Sequence, residues 1–479
     1  MADEEVSFTI VQQPVAYEGA ATSYKSGLNG LLAGSHDSLA VRELLYLQMR
    51  VEHAIRNNGY AKTAFNKYIT NLGAIKVIWK DESGKRHRLM QSLWDEFILN
   101  PSFDNVGNFS QIQAIWNGAC FRTGASHTRI LFQKRNNSNR VPLKLQTIPT
   151  HLHDISYTQN YPAEKNIFYG IKFQNNVPKS YFYRQGLWEQ MFLGIDNVEK
   201  HIEIPAEEIV HIFYREVPAQ WLGIPRLACV LILLYELDEL TDATVAKQKA
   251  AQAVSWIVRN SNPTSAFAPG VAVQAKDADG NKKIVFNSSG GNVQYLNKGE
   301  DIAFYQSTDI GANLQTLINS ELRRISSAAD VPYFQLTQDY SGIDFSTLRG
   351  ILIELRSRIE FIHHFYTIPM GVLPVANKFK EYARLYNRKV DKAYPSFQLP
   401  RWYGIDDLKD VQADLLEVQS GMATLESKLN ERHTSFEEIV EDRKNIKENG
   451  LDSILQNINS SNQTKQSKNF NSNANSAGN

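Results

Sequence analysis

The sequence predicts an α+β fold, and three observations carry that prediction. Strand-like runs crowd between Thr128 and Arg215. Two helical stretches follow, at residues 226–259 and 313–329. A small β-rich insertion lies between those helices. Two rods carrying a β tip suit a part that protrudes better than a closed enzyme core.

Residues 1–35 are rich in Gly, Ala and Ser with little period, and read as a flexible arm. From Ser38 to Leu72, apolar positions such as Leu44, Leu47, Val51, Ile55, Phe65 and Ile69 recur at helical spacing. Asn57-Asn58-Gly59 divides that run into two helices. Residues 75–79 read as a strand, and 93–99 and 110–121 as short helices. Residues 129–133, 143–148, 167–173, 180–184 and 209–214 are β-branched, aromatic or alternating, as strands are. Gln174-Asn175-Asn176 suits a hairpin turn, because Asn tolerates positive φ.

The first rod opens after Pro225 and runs to Arg259 without Gly or Pro, long enough for roughly 50 Å of helix. Leu227, Val230, Leu231, Leu234, Leu237 and Leu240 form its apolar stripe; Ala243, Ala246, Ala250, Ala251 and Ala253 make its second half small. In the insertion, residues 270–275 and 282–286 flank Asp279-Gly280 as a hairpin, and 293–296 and 302–306 add two strands. The second rod stops at Val331-Pro332. A polar loop, 335–344, leads to a third helix capped by Ser346 and ended by Pro369. Residues 405–450 read as helical, with Thr434-x-x-Glu437 as a capping box, and the Asn- and Ser-rich tail as disordered.

Length and composition bound the function. A chain of 479 residues has room for three to four units. With 51 basic and 51 acidic residues, a tight sequence-independent DNA clamp is disfavoured, since that affinity comes from neutralising phosphates. Cys120 and Cys229 are the two cysteines, which fits a reducing compartment. The acidic Ala2-Asp3-Glu4-Glu5 start is no signal peptide, and the longest apolar run, 227–235, is about half a bilayer span. The expectation is a soluble, cytosolic chain.

Motifs for chemistry are sparse. No phosphate-binding G-x-x-x-x-G-K-[ST] loop and no G-x-S-x-G elbow occur, and Ser288-Ser289-Gly290-Gly291 reads as a surface turn. His151-x-His153-Asp154 is the best metal candidate: on a strand, alternate imidazoles share a face. It lacks a third ligand of matching spacing, so a polar β-loop is the competing reading. His363 and His364 point to different sides of a helix, and Cys229 on an apolar stripe reads as a buried, inert thiol. The charges on the rods are Glu236, Asp238, Glu239, Asp242 and Lys247 on the first and Arg323 and Arg324 on the second. These are either a solvated face or, if copies form a ring, stacked rings of charge.

At Pro218-Ala-Gln-Trp-Leu-Gly-Ile-Pro225 the chain resembles the "RPGQ-x-RG-x-P" signature of the lambda-type portal proteins of tailed bacteriophages. Other segments follow in the family's order. Arg56-Asn-Asn-Gly-Tyr-Ala-Lys62 is similar to "RNNPYA", Ile204 to Phe213 to a "PAe…viHvF" strand, and Leu237 to Ala243 to "LdeyedA". Leu296-x-x-Gly-Glu-Asp301, the block from Val331 to Arg349, and Gly404 to Lys409 complete the series. Gly59, Ala219, Leu222, Phe345 and Thr347 depart from the pattern, which marks a distant member.

The resemblance implies a portal fold that assembles as a ring, typically of twelve subunits, at one capsid vertex. It implies an N-terminal arm (1–35), an α+β wing (36–221), a stem helix (222–258), a β-rich clip (259–312) and a second stem helix (313–331). A tunnel loop (332–345), a long wing helix (346–369), a helical crown (370–455) and a tail (456–479) follow. Double-stranded DNA would pass through without sequence-specific binding. Channel-facing candidates are Gln335, Gln338, Asp339, Tyr340, Ser341 and Asp344 in the loop, and Glu236, Asp238, Glu239, Asp242 and Lys247 on the stem. Lys276, Lys282, Lys283 and Lys298 are candidates for docking the terminase large subunit. Implied partners are also capsid and scaffolding proteins and a head-tail adaptor. No cofactor, metal, membrane or catalytic residue is expected. The alternatives are a metal-dependent nucleic-acid hydrolase using His151, His153 and Asp154, and a monomeric virion adaptor.

Overall fold

The computed structural model describes residues 34–133, 140–159, 166–184, 201–253, 257–260, 273–276, 282–285, 300–303, 312–400, 402, 407–432 and 436–448. The chain divides into two units, one of residues 1–56, 65–228 and 340–479, the other of 57–64 and 229–339.

The first unit opens with α1 (His36–Asn57), whose buried Leu44, Val51 and Ile55 follow the helical period seen in the sequence. Helix α2 (Gly59–Leu72) begins after the Asn57-Asn58 break, as expected. Strand β1 (Lys76–Lys80) precedes α3 (Arg88–Leu99) and α4 (Phe109–Thr123). Helix α3 starts five residues before the sequence signal because His87 caps it, its Nδ1 accepting from Met90 N at 3.1 Å. At the end of α4, Gly124 has φ 89° and passes so close to Gly223 that an added Cβ would lie 2.2 Å from its carbonyl oxygen.

Two antiparallel sheets follow. The first has the order β3-β2-β8, with β2 (Ala125–Phe132) central, β3 (Leu143–Ile148) and β8 (Ile209–Phe213). The second is a meander of β4 (Ile167–Phe168), β5 (Ile171–Gln174), β6 (Val177–Arg184) and β7 (His201–Pro205). The single strand expected at 167–173 is broken, because Tyr169 and Gly170 adopt positive φ (55° and 72°) and turn the chain between β4 and β5. Asn175 and Asn176, at φ 52° and 62°, make the expected hairpin turn.

The core of this unit is aromatic. Trp79, Trp94, Trp116, Phe97, Phe121 and Phe379 are almost fully buried. Phe379 arrives from far along the chain, and its route corrects an expectation. Pro369 does not stop the third helix. The helix Phe345–Ile362 runs into a π-helical stretch, His363–Val372, and on into a helix at Leu373–Tyr386. The wider π turn accommodates a residue that lacks an N–H. Gly371 in that stretch passes against Trp116 and Ile212, where a Cβ would meet side-chain atoms at 3.1 and 2.8 Å. The division expected at residue 370 therefore coincides with no break in the chain. Strand β13 (Tyr394–Gln398) then pairs antiparallel with β1.

In the second unit, the first rod is shorter than its sequence suggests. The helix α5 spans Leu231–Ala253, and residues 257–260 form strand β9 instead. β-Branched Ile257 and Val258 favour a strand, and they pair antiparallel with Ala303 and Ile302 of β12 (Glu300–Ala303). The predicted hairpin is present: β10 (Val273–Lys276) pairs with β11 (Lys282–Val285). The strand expected at 293–296 and the Ser288–Gly291 turn lie outside the described residues. The second rod is α6 (Ala312–Ala328), in contact with α5. A short helix, α7 (Tyr333–Thr337), follows Pro332. In the first unit, α8 (Phe345–Ile362), α9 (Leu373–Tyr386), α10 (Asp407–Gln419), α11 (Leu425–Glu431) and α12 (Phe436–Glu448) complete the helices. The residues before α12, including Thr434, and those after it, including Gly450, lie outside the described set, as do the N-terminal arm to residue 33 and the tail.

Candidate functional site

The segment between α6 and α8 is the leading candidate. Helix α6 ends where Asp330 takes φ 53° and Ser326 Oγ donates to the Val331 carbonyl at 2.7 Å. Pro332 then allows one helical turn, so Gln335 sits in α7 and not in the loop expected for it. Phe334 and Leu336 anchor that turn by burial. Gln338 ends α7 in the left-handed conformation, φ 58°. Gln338, Asp339, Tyr340, Ser341 and Gly342 are all exposed, and Tyr340 keeps 58% of its surface accessible. Exposed side chains on a loop carried by a rigid scaffold are where contacts to other molecules are commonly made.

Asp344, not Ser346, caps α8: its Oδ1 accepts from Thr347 N at 2.7 Å. An aspartate two residues earlier wins because its carboxylate also complements the helix dipole. Hydrogen bonds from the Thr347 side chain and backbone hold the Asp344 carboxyl below its ordinary range.

On α5, Glu236, Asp238, Glu239, Asp242 and Lys247 are exposed. Two of the acids have partners within the second unit. Asn58 Nδ2 donates to both Asp238 oxygens at 2.9 Å, and Tyr235 bonds Glu239, which raises the phenol's pKa. On α6, Arg324 pairs with Glu321 at 2.7 Å, and the Arg323 guanidinium lies 5.4 Å from the Tyr333 ring centre. In the β tip, Lys276 lies on β10 and Lys282 and Lys283 on β11, while Lys298 lies outside the described residues. Cys229 is exposed rather than buried, and Cys120 is the buried thiol, pushed up to about 12 by burial.

The metal candidate loses its geometry. His151 lies in a 3-10 turn, Thr150–Leu152, not on a strand, so it and His153 share no strand face. His153 Nε2 faces the Gly170 carbonyl at 3.4 Å. Asp154 is engaged by Arg184 Nη2 at 2.8 Å, His201 Nε2 at 2.7 Å and Ser156 Oγ at 2.5 Å. Among the described residues, no three His, Cys, Asp or Glu side chains are placed to hold a metal ion. His363 is buried and bonded to the Leu72 carbonyl at 2.8 Å, a packing role. Among the described residues, no helix is long and apolar enough to cross a membrane.

Sequence reasoning missed a cluster beside that turn. His127 on β2 and His211 on β8 stack at 4.3 Å, and His153 lies 4.8 Å from His127. Tyr183 bonds His127 Nδ1 at 2.9 Å. The available signal was a histidine at the centre of an apolar strand, Ile209-Val210-His211-Ile212-Phe213.

Residues 30–362 match the family of phage portal proteins described as "Phage portal protein, lambda family". The chain belongs to the lambda family of phage portal proteins. The portal function implied by the sequence resemblance therefore stands. A "Probable portal protein" of Halomonas phage phiHAP-1 is 23% identical over 417 residues, covering 82% of this chain and 77% of that one. Among solved structures, a chain from the neck of an empty GTA particle is 12% identical with a TM-score of 0.49, covering 82% of this chain and 94% of that chain. A HK97 family phage portal protein from Corynebacterium diphtheriae is 12% identical with a TM-score of 0.31, over 75% and 96%.

Proposed function

We propose that copies of this chain close into a ring, expected to be a dodecamer, at one vertex of a phage capsid. Double-stranded DNA enters through its channel during packaging and leaves through it at infection. The observation that carries this reading is the family match over residues 30–362, a span that includes α5, α6 and the exposed loop after them. Head-to-tail contacts that close generate rings, and the small residues Ala243 and Ala246 on α5 leave room for close helix packing.

A conduit must not grip its cargo. Zero formal charge avoids the phosphate neutralisation that makes release slow. Exposed Glu236, Glu239 and Asp242 would repel phosphates and keep the strand centred. Gln338 to Asp344 would face the channel, and Lys276, Lys282 and Lys283 would meet the motor. The work of moving DNA would come from a separate ATPase, the terminase large subunit, with capsid, scaffolding and head-tail adaptor proteins as further partners. The protein would be a virion component, assembled in the host cytoplasm.

Native mass measurement with electron microscopy of the purified protein tests this. Closed rings of about a dozen chains are expected. A protein that stays single both in solution and in mature particles overturns it.

A further inference from the structure

Three histidines packed together, two of them buried, need a reason. His127 and His153 are nearly sealed from solvent, at 1% and 4% exposure, and His211 is partly buried beside them. They fill the space where the three-stranded sheet meets the four-stranded one. His127 and His211 are register partners on β2 and β8, and Tyr181 and Tyr183 reach them from β6. The Tyr183 hydroxyl bonds His127 at 2.9 Å, and the Tyr181 hydroxyl lies 3.4 Å from His211 Nδ1. Phe213 closes the stack, 4.5 Å from the His211 ring.

We propose that this histidine–tyrosine cluster is an acid-operated latch that joins the two sheets near neutral pH and releases them when the medium turns mildly acidic.

The surroundings offer little to compensate a new positive charge. Burial, then the neighbouring imidazoles, hold His127 well below its ordinary value; burial also lowers His153 to about 4 and His211 to about 3. His151 on the adjacent turn is likewise lowered to about 4 by burial. The facing carboxylates are already matched: Asp154 by Arg184 and His201, and Glu208 by Arg129 at 2.9 Å. Arg42 from α1 and Arg184 line a cavity of about 180 Å³ that reaches the three rings and adds like charge. The tyrosine hydroxyls can accept a hydrogen bond from an imidazole N–H but carry no negative charge to offset an imidazolium. Each folded-state pKa lies below the unfolded value near 6.5, so the latch is fully closed above that value and weakens as pH falls beneath it. Opening takes up about three protons, so the open fraction rises by up to about a thousandfold per pH unit between roughly 6 and 4.

The test is hydrogen–deuterium exchange by mass spectrometry on the full chain from pH 7.5 to 4.5, read at imidazole carbons and at backbone amides. The three cluster imidazoles should exchange far more slowly than exposed histidines and show no titration near 6.5. After correction for intrinsic rates, peptides covering β2, β6 and β8 should lose protection between pH 6 and 5 while those covering α3 and α9 keep theirs. His211→Phe should reduce the pH slope of that loss by about tenfold per unit. Ordinary titration of the three imidazoles overturns the proposal. So does flat protection of the three strands, or their loss together with α3 and α9. The wild-type data decide the matter even if the variant fails to fold.

Discussion

Trp94 and Phe379 meet edge to face, with ring centres 4.9 Å apart and planes at 87°. They come from α3 and α9, and Trp79 and Phe97 also pack on Phe379. The contact forms because the chain stays helical through Pro369. Phe379→Ala should therefore cost about 3–5 kcal/mol, the range for emptying a buried aromatic site. A denaturant titration followed by tryptophan fluorescence checks this, and a loss below about 1 kcal/mol would mean that α9 is not a core element.

Asn58 does two jobs in the second unit. Its Oδ1 accepts from Ala61 N at 2.9 Å, capping α2, while its Nδ2 holds both oxygens of Asp238. Asn58→Ala should cost about 2 kcal/mol by removing both. Asn58→Asp keeps the cap but sets two carboxylates together, so it should also destabilise, and adding Asp238→Asn should restore most of the loss. Denaturation midpoints of the single and double variants decide it. Without the restoration, Asp238 is not coupled to Asn58.

Local signals were legible and long-range ones were not. The Asn57–Gly59 break, the limits of β3, the Asn175-Asn176 turn and helix α6 follow from periodicity and turn chemistry within a few residues. The β1–β13 pair joins Val77 to Phe397, and no local pattern announces a partner so distant. Pro369 reads as a stop because a proline has no N–H, and only tertiary packing around Gly371 shows how the helix absorbs it. Family blocks identified the loop after α6, but local sequence could not distinguish Gln335 in a helical turn from Gln338 beyond it. The histidine cluster draws on three separate elements, so spacing alone could not reveal it.

Tyr340 tests the loop. It is exposed and follows the left-handed Gln338, so Tyr340→Ala should leave the unfolding free energy within about 0.5 kcal/mol of the parent. Asp344→Ala should cost about 1 kcal/mol by uncapping α8, while Asp344→Asn keeps an acceptor and loses little. In a DNA-packaging assay, Tyr340→Ala should lower the packaged fraction with ring formation unchanged. Normal packaging would remove this side chain from the channel.

Arg184 and Asp154 supply a second, separable pH response. Burial opposes charge on Asp154, but hydrogen bonds from Arg184, Ser156 and His201 prevail and hold its carboxyl well below the ordinary range. A depressed carboxylate contributes stability that is fully present above its unfolded value, about 3.9, and is lost as pH falls through the folded one. Arg184→Gln should therefore cost about 1–3 kcal/mol at pH 7, because it leaves a largely buried carboxylate short of its charged donor. The same difference should persist at pH 6, above the range in which the histidine latch opens, since Asp154 stays ionised across that interval. Urea titrations of both proteins at the two pH values measure it. A difference that shrinks between pH 7 and 6 would show Asp154 protonating near neutrality, contrary to the hydrogen bonds it receives.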